Sequence, residues 1–273
     1  MPDRYAVIGN PVAHSKSPAI HTAFAAASGE DIVYDRLPAP LDGFAATVEA
    51  FVHGGGRGLN VTVPFKLEAF AVARDASDRA RAAGACNTLK RTDDGWYADN
   101  TDGAGLVRDL TVNLGVTLGG RDVLVLGAGG AARGILVPLL ASGVRSVTIS
   151  NRTVAKGDAL ARQFAPRGVV AAVAPQDLAG QAFDVVINAT SAGLTGDVVL
   201  PWPGGLFRPG AFAYDLVYAD DATPFVRWAR EQHATRTADG LGMLIEQAAE
   251  SFFLWRGVRP DTRSVFALLR APG

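Results

Sequence analysis

The stretch "VLVLGAGGAARG", Val123 to Gly134, decides the fold. Four apolar residues, Val123 to Leu126, read as a strand, and Gly127, Gly129 and Gly130 follow directly ahead of a helical run, "ILVPLLASG". Glycine permits unusual φ angles and the close approach of a pyrophosphate, whose charge the free N–H groups and positive end of the next helix stabilise. Alone, such a motif is only a tight turn. With a strand before and a helix after, it reads as a dinucleotide site made by Gly127, Ala128, Gly129, Gly130 and Ala131. Downstream, "SVTISNRT", "VVAAV", "FDVVINAT" and "AFAYDLVY" read as further strands and "KGDALARQFA" as a helix. Together they predict a parallel sheet with helices on both faces.

The strand after the glycine turn should end on the residue that meets the adenosine ribose. It ends "TISNRT", with no acidic residue at Ser150, Asn151 or Arg152 to accept from a free 2′-hydroxyl. Arg152 can instead pair with a 2′-phosphate and stack on adenine, with Asn151, Thr153 and Lys156 adding donors, so NADP is favoured over NAD. The plain alternative is that Arg152 caps a solvated loop. In "NATSAGL", Thr190 and Ser191 should lie at the carboxyl edge of the same sheet, to contact the cofactor or simply to cap a turn.

The first hundred residues alternate short apolar runs with helical patterns, among them "RYAVIGN", "AIHTAFAAASG", "IVYDRLPA", "GFAATVEAFVHGG", "GLNVTV" and the long helical run "KLEAFAVARDASDRARAAG". A hairpin is expected around Asp93, Asp94 and Gly95, then a helix over "AGLVRDLTVNLG". Near the end, "GLGMLIEQAAESFFLWRG" reads as an amphipathic helix and a short helix follows at Ser264 to Arg270.

Composition suits two α/β domains: 273 residues are long for one core, and 48% of them are hydrophobic. Apolar stretches such as "GILVPLLASGV" fall short of the roughly 18 residues of a membrane span, and "MPDRYAVIGN" has no signal-peptide pattern, so a cytoplasmic location is expected. Twenty-six Lys plus Arg against 27 Asp plus Glu leave a charge of -1, which argues against nucleic acid or a membrane as partner. The single cysteine, Cys86, excludes an internal disulfide, and with four scattered histidines it provides no metal-ligand spacing.

Four other stretches carry unusual polar chemistry. In "NVTVPFK", Val61 and Val63 should anchor a strand while Asn60 and Thr62 share its other face, and the break at Pro64 brings Lys66 to the same side. In "GNPVAHSKSP", Ser15 and Ser17 stand before Pro18 at a helix start, either a carboxylate clamp or an ordinary N-cap. "GACNTL" and "DNTDG" place Asn87 and Asp102 where loops leave the sheet.

These stretches, with "GAGGAARG", "NRT", "YDLVY", "TPF" and "DGLGMLIEQAAESF" in the same order, resemble the shikimate dehydrogenase family along nearly the whole chain. The resemblance implies an NADP-dependent oxidoreductase of aromatic amino-acid biosynthesis that reduces 3-dehydroshikimate to shikimate. It implies a substrate domain of residues 1–103 and 238–273 around a Rossmann-type NADP domain of residues 104–237. Lys66 and Asp102 match the catalytic pair, and Ser15 and Ser17 match the ligands of the substrate carboxylate. Asn60, Thr62, Asn87, Asp102 and Gln247 match contacts to the ring hydroxyls, and Tyr218 matches a tyrosine near the substrate. Gly240 and Met243 match positions beside the nicotinamide. Two alternatives stand: a quinate/shikimate dehydrogenase using NAD, against which Arg152 argues, and a non-catalytic dinucleotide-binding sensor, against which Lys66 and Asp102 argue. No motif decides between a monomer and a homodimer.

Overall fold

Tyr5 to Gly9 are buried at every position, because β1 (Asp3–Gly9) runs through a sheet covered on both faces. The computed structural model describes residues 1–190 and 202–270. It divides into two units, Met1–Gly105 with Leu244–Gly273, and Leu106–Met243.

After β1 the first unit contains α1 (Ser17–Ser28), β2 (Ile32–Pro38), α2 (Phe44–His53), β3 (Gly56–Val61), α3 (Lys66–Ala71), β4 (Asp75–Ala76), α4 (Asp78–Ala83), β5 (Thr88–Thr92) and β6 (Gly95–Asp99). The sheet order is β2-β1-β3-β5-β6-β4, with β1 parallel to β2 and β3, and β5 antiparallel to both β3 and β6. One core holds Ile8, Phe44, Leu59, Val61, Phe65, Leu89 and Trp96. A second holds Tyr5, Val7, Tyr34 and Trp255, with the Tyr5 and Trp255 rings stacked at 4.6 Å.

The expected single helix over "KLEAFAVARDASDRARAAG" is broken in two. The Arg74 and Ser77 N–H groups donate to Trp96 and Ala98 at 2.9 Å, pulling Asp75 and Ala76 into the sheet as β4. Ser77 then caps α4 by accepting from the Ala80 N–H at 3.2 Å. Its side chain favours this role over a helix interior.

From α5 (Asp102–Arg108) the helix widens into a π-helical turn, Asp109–Asn113. The second unit then runs β7 (Asp122–Leu126), α6 (Gly130–Ala141), β8 (Ser146–Ser150), α7 (Val154–Phe164), β9 (Val170–Ala172), β10 (Phe183–Asn188), β11 (Phe207–Asp215), α8 (Pro224–Glu231) and β12 (Arg236–Ala238). Every neighbouring pair in the order β12-β11-β10-β7-β8-β9 is parallel. The chain moves outward from β7 through β8 to β9, then returns to the other side of β7 at β10. The carboxyl ends of β7 and β10 therefore form the switch point where α/β sheets take ligands.

α9 (Leu241–Arg256) and α10 (Arg263–Arg270) close the chain. The amphipathic reading of α9 needs correction: only Phe253 is exposed along it, and Glu246, Gln247 and Ser251 are buried with their partners. Glu246, for instance, accepts from the Thr262 hydroxyl at 2.7 Å and pairs with Arg259 at 3.3 Å. Among the described residues no helix is long and apolar enough to cross a membrane.

Candidate active site

Beyond β3 the chain turns sharply. The Thr62 N–H still donates to Ile8, Phe65 closes a turn onto the Thr62 carbonyl at 3.1 Å, and Lys66 opens α3. Val63 is 57% exposed, which corrects the expectation that it anchors the strand, because the alternation stops with β3 at Val61. Phe65 is the anchor: it is wholly buried and stacks on Phe44 at 5.1 Å. Burial of such a side chain stabilises by about 1.5–3 kcal/mol and holds the start of α3 in place.

Lys66 Nζ donates to Asp102 Oδ2. The other oxygen of Asp102 accepts from Asn87 Nδ2 at 2.7 Å, and the same amide reaches Gln247 Oε1 at 3.1 Å. Asn87 Oδ1 accepts from the Thr101 N–H at 2.8 Å and the Thr88 hydroxyl at 3.0 Å, which fixes the amide's orientation. Four of the expected residues, Lys66, Asn87, Asp102 and Gln247, thus meet in one cluster. Nearby Asp99 has another role: Arg79 grips both its oxygens at 2.7 and 2.6 Å, and it accepts from the Asn100 N–H at 2.7 Å. That leaves Asp102 as the carboxylate facing the amine.

Asn60 is 5% exposed, and its side chain is fully engaged within the protein. Its oxygen accepts from the Tyr34 hydroxyl at 2.7 Å and His21 Nε2 at 3.0 Å, while its amide donates to Ser251 Oγ at 2.9 Å and Thr88 Oγ1 at 3.3 Å. Thr62, half-buried past the strand end, does not share this network. Ser17 is buried and Ser15 half-buried. Ser15 Oγ accepts from the Ser17 N–H at 3.2 Å, and neither hydroxyl caps α1, whose N-cap is Lys16. The Arg36 guanidinium secures this loop by donating to the Ser15 carbonyl at 3.2 and 2.7 Å.

His21, Tyr34, Thr88, Thr101 and Ser251 were not expected at the site. Thr88, inside "GACNTL", Thr101, inside "DNTDG", and Ser251, one helical turn beyond Gln247, carry a signal that could have found them; His21 and Tyr34 do not. His21 is entirely buried and stacks on Tyr34 at 4.2 Å. Because it donates to Asn60 through Nε2, its buried Nδ1 is bare and has no partner. Burial holds the ring neutral and lowers its pKa to about 3.

A stability effect follows. The unfolded imidazole titrates near 6.5, so between that value and the folded one the unfolded chain binds the extra proton. Stability is therefore full above about pH 6.5 and falls as acid approaches the folded value, by up to about 1.4 kcal/mol per pH unit. Urea midpoints of wild type and His21→Gln between about pH 7 and about pH 4 should diverge, the variant falling less steeply. Parallel curves would contradict this reading.

In the second unit, Gly127 follows β7 with φ +108°, and a Cβ there would stand 2.9 Å from the Ala189 carbonyl oxygen. Glycine is required at this position. A Cβ on Gly129 or Gly130 would meet nothing within 4 Å, so open space lies above the first turn of α6, whose N-cap has no side-chain partner. That cradle fits a pyrophosphate. Past β8, Arg152, Thr153 and Lys156 are exposed, and the Asn151 amide donates to the Thr153 carbonyl at 2.8 Å. The first turn of α7 carries no acidic residue. These donors fit a phosphate on the ribose.

The Thr190 hydroxyl donates to Asn188 Oδ1 at 2.7 Å, and Asn188 in turn donates to Asp215 at 2.9 Å; Ser191 lies outside the described residues. Tyr218 is half-buried, its phenol pushed up by burial and by Asp220, and it belongs to the second unit with Gly240 and Met243. Gly240 donates to the Val217 carbonyl at 3.0 Å, and a Cβ on it would stand 2.2 Å from the Leu216 oxygen. Among the described residues no three His, Cys, Asp or Glu side chains group as metal ligands.

The chain matches three family models in turn. They are the shikimate dehydrogenase substrate binding domain over residues 7–89, shikimate / quinate 5-dehydrogenase over 110–195, and the shikimate 5'-dehydrogenase C-terminal domain over 240–266. It is 57% identical over 271 residues to a shikimate dehydrogenase (NADP(+)) of Nitrosospira multiformis, across 99% of this chain and 98% of that one. Among solved structures it is similar to an Ael1 enzyme from Pseudomonas putida, at 49% identity and TM-score 0.91 over 99% of each chain. It is also similar to shikimate 5-dehydrogenase from Thermus thermophilus in complex with NADP(H) and shikimate, at 34% identity and TM-score 0.87 over 98% of each chain.

Proposed function

The chain belongs to the shikimate dehydrogenase family, and from that premise we propose that it catalyses the reversible NADPH-dependent reduction of 3-dehydroshikimate to shikimate, in the cytoplasm. The observation that carries the reading is the Lys66–Asp102 pair, tied through Asn87 to Gln247. NADPH, when bound, supplies the hydride to the carbonyl carbon.

The developing alkoxide needs a proton at oxygen, and Lys66 Nζ delivers it; in the reverse direction the amine takes it back. Asp102 holds the amine and orients the reacting hydroxyl, while Asn87 keeps the carboxylate in place from its other side. Gln247 and Thr62 hydrogen-bond the ring hydroxyls, and Asn87, whose amide is held by Asp102, Thr101 and Gln247, backs them. Ser15 and Ser17 take the substrate carboxylate. Asn60 supports this wall through Tyr34 and Ser251, since its amide is already engaged inside the protein. Tyr218 contacts the substrate. Ala128, Ala131 and Thr190 line the pyrophosphate path beside the three glycines. Arg152 and Lys156, with Asn151 and Thr153, bind the 2′-phosphate, and Gly240 and Met243 bound the nicotinamide.

A site made of so many donors rejects analogues that lack a hydroxyl, because its own groups would be left unpaired. Steady-state rates with shikimate and quinate, each with NADP and NAD, test the proposal. Shikimate with NADP should be fastest. No oxidation of shikimate with either cofactor would favour a sensor, and a preference for quinate with NAD would favour the alternative dehydrogenase.

A further inference from the structure

A buried polar chain in the second unit has no part in the chemistry above. Tyr214 on β11 is wholly buried, and its hydroxyl donates to Asp109 Oδ2 at 2.7 Å and accepts from the Met243 N–H at 3.1 Å. Asp109, at the head of the π-helical turn, is 2% exposed and also accepts from Asn113 at 2.9 Å. Burial raises the Tyr214 phenol well above its ordinary range, and the Asp109 charge adds to this, so the hydroxyl keeps its proton and both bonds.

Three contacts fix the turn before Met243. Gly240 lies flat on the Leu216 and Val217 carbonyls, the Leu241 N–H donates to Asp239 at 3.2 Å, and Gly242 faces Asp109 so closely that a Cβ would stand 2.2 Å from its carboxylate. Met243 lies in the first turn of α9, where an N–H has no acceptor within the helix. Tyr214 supplies one from outside.

We infer that Asp109 and Tyr214 are positioning residues: through the Met243 N–H they set where the Met243 side chain stands against the nicotinamide ring. The inference rests on the family reading that places Met243 beside that ring. A displacement of about 1 Å at the reacting centre lowers turnover by up to about a hundredfold, so one hydrogen bond at this turn has leverage over hydride transfer.

Tyr214→Phe keeps the ring in the core and removes only the oxygen. Its turnover should fall about tenfold with the shikimate KM within about twofold of wild type. In fluorescence titration it should bind NADPH about fivefold more weakly, yet bind 2′,5′-ADP, which lacks the nicotinamide half, as wild type does. Asp109→Asn, which still accepts from the tyrosine, should recover most of the turnover that Asp109→Leu loses. If Tyr214→Phe does not fold, Gly242→Ala presses on the same turn from the other side and is read by the same two affinities. Unchanged turnover and NADPH affinity, or equal weakening of NADPH and 2′,5′-ADP, would overturn the inference. Failure of the family reading is distinguishable, because wild type itself would then oxidise no shikimate.

Discussion

Lys66→Ala lowers turnover by about three orders of magnitude while the shikimate KM changes by less than about tenfold. That is about 4 kcal/mol of transition-state stabilisation, within what a positioned acid supplies. Ground-state binding rests on the serines, Thr62 and Gln247, which the substitution leaves in place. Proton delivery rests on the Lys66 amine: Asp102 accepts from it, and the Asn87 amide is held by Asp102, Thr101 and Gln247. Steady-state kinetics in both directions, with circular dichroism to confirm folding, check this. Wild-type turnover in a folded variant would remove the central claim about the Lys66–Asp102 pair.

Arg152→Ala raises the NADP KM by about thirtyfold or more and leaves the NAD KM unchanged. A hydrogen bond to a charged partner is worth about 1.5–3 kcal/mol net, and the upper part of that range gives a factor of thirty to a hundred and fifty. Lys156 adds a second exposed cation, but of the two only Arg152 offers a planar fork that matches a phosphate, while the Asn151 amide is tied to Thr153 and no carboxylate opens α7. Equal losses with NADP and NAD would mean that Arg152 acts on the adenine or the loop, not on the phosphate.

The parts of this molecule that were legible in sequence are those written as local patterns. The strand, glycines and helix at Val123 to Gly134 predict a parallel sheet and its ligand edge, and the structure places Gly127 at the switch point beside Ala189. The fold class and family stand as expected. Long-range polar pairing was not legible. Period-two alternation puts Asn60 and Thr62 on one face but cannot say whether that face meets a ligand or the protein's own hydroxyls, and for Asn60 the partners come from α1, β2, β5 and α9. His21 and Tyr34 look like ordinary members of apolar runs until their rings are seen stacked on each other. Val63 continues the alternation in sequence but not in structure, because β3 stops at Val61. At Asp75 and Ala76, tertiary pairing with β6 overrode a helical spacing that was continuous in sequence.

The placement of α9 has a consequence for biosynthesis. Asn60 and Asn87 are bonded to Ser251 and Gln247, which leave the ribosome 191 and 160 residues later. The Leu106–Met243 unit is one uninterrupted segment and can complete its sheet during translation, whereas the amino-terminal unit must wait, with its polar interior open, for the last helices to emerge. The half of the molecule made first is thus the half finished last, and the nascent chain holds the unclosed amide network exposed to chaperones and proteases for most of its synthesis.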